Sequence, residues 1–282
     1  MTDSNHWVLT VVCDDQPGIV HSVTGAIAQA QGNITELKQF SSQTERFFMR
    51  VQVQSGFDRA AFEGLVAPIV ERLRADWTLD AVGRPRRTLV LASKAGHCLN
   101  DLLFRQRTGY LPVTIPLILA NHPALAPLAK FYGVPFEEYA VLPETKTAME
   151  DRIREAIDEY DIELVVLARY MQILSPQLCD ELAGRAINIH HSFLPGFKGA
   201  NPYRQAHDRG VKLIGATAHF VTSDLDEGPI IEQNVRRVDH SMDVPALVAM
   251  GQEQESRTLT EAVKLVAEHR VLLDGPRTVV FS

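Results

Sequence analysis

The stretch Ala186-Ile-Asn-Ile-His-His-Ser-Phe-Leu-Pro-Gly-Phe-Lys-Gly199 begins as a short apolar strand and ends in a loop that contains proline and glycine. Because side chains alternate between the two faces of a strand, Asn188 and His190 are predicted to point the same way. The stretch therefore predicts a carboxamide that can donate hydrogen bonds beside an imidazole that can accept or give a proton.

A second polar cluster, Ser-Asp-Leu-Asp-Glu-Gly at residues 223–228, follows the apolar run at 218–221. If it lies at a neighbouring strand end, an amide, a histidine and a carboxylate come together. That set is suited to attack on a carbonyl carbon. Each residue alone also has a structural explanation, since a single Asn or His at a strand end commonly serves only as a hydrogen-bonding group, and an acidic turn is commonly solvated.

The order of the motifs favours the catalytic explanation. Asn-x-His is followed by His-Ser-Phe-Leu-Pro, Lys-Gly, His-Phe-Val and Asp-x-Asp-x-Gly, in an order and spacing that resemble the folate-dependent formyltransferase and deformylase superfamily. In that superfamily the Asn, the His and the second Asp of the later cluster form the catalytic trio. The resemblance implies that Asn188, His190 and Asp226 are the catalytic residues here.

Composition and charge exclude several classes of protein. The chain has 282 residues, 45% hydrophobic and 22% charged, which is typical of one large or two modest globular domains. The net charge of −7 argues against a general nucleic-acid binder. No apolar run approaches the roughly 20 residues of a membrane helix, and no signal peptide is apparent. Cys13, Cys98 and Cys179 are odd in number and far apart, which predicts reduced thiols in a cytoplasmic protein.

The first 84 residues alternate in the order βαββαβ, which predicts a ferredoxin-like domain. The Asp-x-Pro-Gly-Ile turn at residues 15–19 resembles the ACT domain, a small regulatory module that often binds amino acids between paired domains. The resemblance implies a homo-oligomer with an amino-acid effector. An oligomerisation module without a ligand is the alternative that the sequence leaves open.

A short polar segment at residues 83–87, Gly-Arg-Pro-Arg-Arg, predicts the domain boundary. We therefore expect an ACT-like domain at 1–84 and a catalytic domain at 85–282. In the second domain, apolar strands alternate with helices, which predicts a Rossmann-like, mostly parallel sheet with helices on both faces. The segments 213–221 and 229–237 are expected to pair as a hairpin around the Asp226 loop.

A motif between the domain boundary and the catalytic stretch predicts where folate would bind. Residues 167–175, Leu-Ala-Arg-Tyr-Met-Gln-Ile-Leu-Ser, resemble the folate-binding loop of the superfamily, in which backbone groups bind the pterin and apolar side chains line its slot. The residues implied are Met171, Gln172, Ile173 and Leu174. From the residues alone, the segment is also an ordinary buried strand end followed by a helix start.

Two competing chemistries are disfavoured. The histidines weighed as zinc ligands are His190, His191, His207 and His219. No Cys-x-x-Cys or His-x-x-Glu-His spacing accompanies them, and the first two face opposite ways if the strand persists. Ser192 lacks the Gly-x-Ser-x-Gly turn of a nucleophilic serine. We predict no metal and no cofactor.

The sequence of the loop after the first strand of the second domain helps to predict which of two activities the protein has. Residues 92–98, Ala-Ser-Lys-Ala-Gly-His-Cys, contain one glycine, whereas superfamily transferases that act on a phosphorylated amine carry a glycine-rich loop there. With the ACT-like domain in front, the chain resembles the 10-formyltetrahydrofolate deformylases. The resemblance implies hydrolysis of this folate to tetrahydrofolate and formate, which feeds one-carbon and purine metabolism.

Two other functions remain open from the sequence. A folate-dependent formyltransferase that acts on a small amine would share the fold and the catalytic trio. A non-catalytic protein that senses folate or an amino acid would share the fold without turnover. The intact set of Asn188, His190 and Asp226 argues against the sensor.

Overall fold

The computed structural model describes residues 5–142, 145–192 and 202–282, so residues 193–199 of the first motif lie outside the description. The chain divides into two compact units, Met1–Arg84 with Glu268–Ser282, and Pro85–Ala267. Residues 268–282 therefore belong with the first unit and not, as the sequence suggested, with the second.

The first unit contains an antiparallel sheet with two helices. Its elements are β1 (Asn5–Asp14), α1 (Ile19–Gln29), β2 (Asn33–Ser41), β3 (Arg46–Ser55), α2 (Arg59–Arg72) and β4 (Asp76–Ala81). The strand order is β2-β3-β1-β4, and every neighbouring pair is antiparallel. This arrangement confirms the predicted βαββαβ fold. Gly18, with φ of 90°, allows the left-handed turn at the start of α1.

A buried cation explains why the C-terminal residues join this unit. Arg50 on β3 is only 2% exposed and forms an ion pair with Glu36. Its guanidinium also donates to the backbone carbonyl of Glu268 through Nε (3.2 Å) and Nη2 (3.0 Å). A buried charge needs such partners, and the C-terminal segment supplies one. The segment then pairs with itself as a hairpin, Val271–Asp274 with Arg277–Val280.

The second unit is an α/β domain. Its strands are β5 (Arg86–Ala92), β6 (Val113–Ala120), β7 (Phe136–Glu138), β8 (Leu164–Ala168), β9 (Ala186–His190), β10 (Leu213–Phe220) and β11 (Ile230–Arg237). Its helices are α3 (His97–Arg107), α4 (Ala126–Tyr132), α5 (Lys146–Glu159), α6 (Pro176–Glu181), α7 (Pro202–Asp208) and α8 (Val244–Ala267), with a 3-10 turn at Pro123–Leu125.

In the described residues these strands form one sheet in the order β11-β10-β9-β8-β5-β6-β7. The pairs from β9 to β7 are parallel, whereas β10 is antiparallel to both β9 and β11. The predicted mostly parallel sheet and the predicted hairpin are both confirmed. The segment Leu-Val-Val-Leu-Ala of β8 is buried along its whole length, as expected for a central strand covered on both faces.

The state of the cysteines and the apolar character of the helices are both predicted from the sequence. The three cysteines are buried and free, which agrees with reduced thiols; the cytoplasmic location stays a prediction. Within the described ranges, no helix combines the length and the apolar character that crossing a bilayer requires.

Candidate active site

The predicted catalytic residues come together where β9 ends. Nδ1 of His190 lies 3.1 Å from Oδ2 of Asp226, and the histidine is 8% exposed. The same pocket is lined by His190, Asp226 and Asn188, as the two-residue spacing on β9 requires. An imidazole that donates to a carboxylate through Nδ1 keeps its Nε2 lone pair free when neutral. His190 is thereby oriented to take a proton at Nε2.

The backbone around Asp226 is built for this contact. Asp226 has φ of 58°, a left-handed conformation that non-glycine residues adopt at a cost and that clusters at functional sites. Gly228 lies so close to the end of β10 that a Cβ there would be 1.7 Å from the Phe220 carbonyl oxygen. The tight turn folds the loop back on the strand, and it holds the Asp226 carboxylate against His190.

The charge of Asp226 is stabilised by its neighbours. The hydrogen bond from His190 holds the pKa of Asp226 well below its usual range. Nε2 of His219 is 3.7 Å from Oδ1 of the carboxylate, which is too long for a hydrogen bond. Asp226 is therefore an anion at neutral pH and favours a positively charged His190 once that residue has accepted a proton.

His219 is a site residue whose role the sequence did not indicate. Its Nδ1 lies 2.8 Å from the Phe220 carbonyl oxygen, so this nitrogen carries the proton. In the neutral ring Nε2 is then an acceptor, and it lies 3.4 Å from Nδ2 of Asn188, its cross-strand partner. This bond fixes the carboxamide of Asn188 and leaves its second N–H available to the pocket.

The pocket beside these residues has the size of a small-molecule site, about 420 Å³. The four predicted folate contacts, Met171, Gln172, Ile173 and Leu174, all line it. Met171 and Ile173 are 61% and 62% exposed and both line the pocket, so they present apolar surface that a ligand could cover. The loop is fixed in place because the Met171 N–H donates to Oγ of Ser93 at 2.9 Å.

The two adjacent histidines do not face opposite ways. Strand β9 ends at His190, so the alternation stops there, and the rings of His190 and His191 stack with centroids 4.8 Å apart. Nη1 of Arg169 lies 3.0 Å from Nδ1 of His191. Burial and the Arg169 charge lower the pKa of His191 to about 4. His191 is therefore neutral at physiological pH.

A buried carboxylate lies behind Arg169. Glu255 on α8 is 1% exposed; it lies 2.7 Å from Nε2 of His97 and 3.3 Å from Nε of Arg169, and it accepts from the Tyr203 hydroxyl at 2.6 Å. Burial alone would raise the pKa of Glu255, but these partners outweigh it and lower the pKa below its usual range. Sequence reasoning did not find this cluster because its members come from distant segments.

The zinc ligands weighed from the sequence do not form a ligand group among the described residues. The one group that places possible ligand atoms together there, within 4.8 Å, is His97, Cys98 and Glu255. In that group the Arg169 guanidinium already neutralises the carboxylate, and burial raises the pKa of the Cys98 thiol. A cation would have to displace Arg169, so the group is better explained as an internal ion pair.

Comparison with known proteins matches both units. The "ACT domain" family model matches residues 7–61, and the "Formyl transferase" model matches residues 86–263. A curated relative from Corynebacterium sp. (strain P-1), named formyltetrahydrofolate deformylase, is 45% identical, and the match covers 99% of each chain.

Comparison with solved structures gives the same family. The formyltetrahydrofolate deformylase of Burkholderia mallei ATCC 23344 superposes with a TM-score of 0.95 at 48% identity, over 99% of this chain and all of the other. Glycinamide ribonucleotide transformylase 1 of Symbiobacterium toebii is 33% identical with a TM-score of 0.65, and it covers 73% of this chain and 98% of its own. The deformylases match this chain over its whole length, the ACT-like unit included, whereas the transformylase matches 73% of it. The chain therefore belongs to the formyltetrahydrofolate deformylase family of formyl transferase-like proteins.

Proposed function

We propose that the protein hydrolyses 10-formyltetrahydrofolate to tetrahydrofolate and formate. The observation that carries the proposal is the contact between His190 and Asp226 at 3.1 Å, with Asn188 beside it in a pocket large enough for a folate headgroup. The deformylases matched over nearly the whole chain support it. Neither the formyltransferase nor the sensor alternative is favoured by a specific observation.

The reaction follows from the groups in the site. His190 takes a proton from water at Nε2 while the water oxygen attacks the formyl carbon, and Asp226 stabilises the imidazolium that forms. The formyl oxygen becomes an oxyanion, to which Asn188 donates its free N–H. As the C–N10 bond breaks, His190 returns the proton to N10, which gives tetrahydrofolate and formic acid, and the acid ionises in water. The proton transfers and the oxyanion hydrogen bond that these steps need are all supplied by His190, Asp226 and Asn188.

The function is tested by a stoichiometric assay of the purified protein. Formate and tetrahydrofolate are expected to appear in equal amounts from 10-formyltetrahydrofolate in buffer that contains no amine. Glycinamide ribonucleotide should neither accelerate folate consumption nor yield a formylated product. Consumption that begins only when an amine is supplied would show that the protein is a transferase.

We propose that Met171, Gln172, Ile173 and Leu174 bind the folate. Replacing Ile173 by serine should raise KM about tenfold and leave kcat nearly unchanged, because burying part of an Ile side chain against the ligand contributes on the order of 1.4 kcal/mol. Steady-state kinetics measures both constants. Leu213→Ser is the matched control, since Leu213 is 54% exposed but lies outside the pocket. Equal effects of the two substitutions would remove Ile173 from the folate site.

We propose that the first unit mediates self-association and binds an amino-acid effector such as glycine or methionine. The match of the ACT domain model to residues 7–61 supports this role. Light scattering of the full chain should give a mass above that of one protomer, and one amino acid of a panel should change the rate of formate release. A monomeric mass together with unchanged kinetics across the panel would contradict both parts.

A further inference from the structure

Two stacked imidazoles line the pocket, and each contacts a charged side chain through the same ring nitrogen, Nδ1. His190 and His191 each engage a charged side chain through Nδ1, Asp226 in the first case and Arg169 in the second. Both Nε2 atoms are buried, and neither has a hydrogen-bond partner in the part of the chain that the structure describes. The rings are tilted by only 27°, and both residues line the pocket.

The partners of Nδ1 give the two rings opposite proton positions. A carboxylate only accepts hydrogen bonds, so Nδ1 of His190 carries the proton and its Nε2 is an acceptor. A guanidinium only donates, so Nδ1 of His191 is the acceptor and its Nε2 carries the proton. The low pKa of His191, about 4, keeps this ring neutral in that tautomer. The stacked pair thus combines one unpartnered acceptor and one unpartnered donor on two residues that line the pocket.

Arg169 is held where it can impose this tautomer. Its backbone has φ of 61°, a left-handed conformation that glycine would adopt more easily than arginine. Nε of the guanidinium lies 3.3 Å from the buried Glu255 carboxylate, while Nη1 reaches His191. Glu255 is in turn fixed by Tyr203. That contact depends on Gly251, where a Cβ would lie 2.0 Å from the Tyr203 hydroxyl oxygen.

We propose that His191 selects water over an amine as the nucleophile, with Arg169 and Glu255 as its positioning residues; the proposal rests on the hydrolysis proposed above. Water has two lone pairs, so it can accept a hydrogen bond from Nε2–H of His191 with one and attack the formyl carbon with the other. A neutral amine has one lone pair. If it accepts the bond from His191 it cannot attack, and if it attacks, the buried N–H is left without a partner, which costs free energy.

In the step itself, the water oxygen forms a bond to the formyl carbon while one water proton moves to Nε2 of His190. Nε2–H of His191 donates to the water oxygen throughout and transfers no proton. Collapse of the tetrahedral intermediate breaks the C–N10 bond, and His190 delivers its proton to N10. Because His191 ends each turnover in the tautomer in which it began, it needs no resetting step.

The test measures how the formyl group partitions between water and a small amine, glycinamide. His191→Phe keeps a stackable ring but removes the N–H. It should lower kcat for formate release between tenfold and a hundredfold, by the loss of one oriented donor, and raise the ratio of N-formylglycinamide to formate at least about tenfold. His191→Gln, which can still donate, should restore part of the wild-type partition. His240→Phe, an exposed histidine outside the pocket, is the matched control.

The outcomes distinguish the proposed hydrolysis from the proposed selection of water by His191. If the wild type releases no formate, the proposed function fails. If the wild type releases formate but His191→Phe partitions the formyl group as the wild type does, the selection by His191 is overturned. Nitrogen NMR of the native protein labelled with 15N-histidine tests the tautomer directly, and the His191→Gln variant serves only to assign the His191 signal. The signal lost in His191→Gln should show a bare Nδ1 and a protonated Nε2, and the reverse pattern would also overturn the proposal.

Discussion

Replacing Asp226 by asparagine is expected to lower kcat for formate release by at least about 10²-fold, and by as much as about 10⁴-fold. The variant keeps the size of the side chain but loses the charge that stabilises the His190 imidazolium. An amide can also donate to Nδ1 of His190, which would put the ring proton on Nε2, the atom that must accept from water. The same exchange of tautomers is what makes the Asp-to-Asn change so costly in a Ser-His-Asp triad.

The neighbouring residue Asp224 supplies the matched control. It lines the same pocket, but there its backbone carbonyl accepts the hydrogen bonds from Thr222 and Glu227. Asp224→Asn should therefore retain most of the activity. Folate binding, followed by fluorescence titration, should change little in either variant. Near-full activity of Asp226→Asn combined with a large loss in Asp224→Asn would transfer the role of the carboxylate to Asp224.

The parts of the site that could be predicted follow from local rules. The two-residue period of a strand places Asn188 and His190 on one face, and the resemblance of the motifs to the formyltransferase and deformylase superfamily implies that Asp226 joins them. The contact of 3.1 Å between His190 and Asp226 agrees with that assignment. The alternation of strands and helices likewise predicts the parallel sheet, because a helix between two successive strands is the usual connection between parallel strands.

The parts that could not be predicted depend on contacts between distant segments. His219 meets Asn188 only because β10 pairs with β9 in one register, and no local pattern reports a cross-strand register. The Arg169–Glu255 ion pair joins the residue that follows β8 to a residue of α8. Residues 268–282 join the first unit because Arg50, buried on β3, takes its acceptor from Glu268. Strand alternation would place His190 and His191 on opposite faces only if the strand continued through His191, and β9 ends at His190.

Asn188 is expected to act on the transition state more than on the bound folate. One of its N–H groups donates to Nε2 of His219 at 3.4 Å, so the carboxamide is oriented before the substrate arrives. The formyl oxygen carries little charge in the substrate and a full negative charge in the tetrahedral intermediate. A donor aimed at that position therefore gains most of its interaction energy as the reaction proceeds.

Asn188→Asp should consequently lower kcat by about 10²–10³-fold and leave KM nearly unchanged, since it replaces the donor with an anionic oxygen that repels the developing charge. Steady-state kinetics separates the two constants. Asn100→Asp is the matched control, because Asn100 is exposed on α3 and uses its oxygen to accept from the Tyr132 hydroxyl, a bond that an aspartate keeps. A rise in KM with kcat preserved would make Asn188 a folate-binding group, and the oxyanion would then need a different donor.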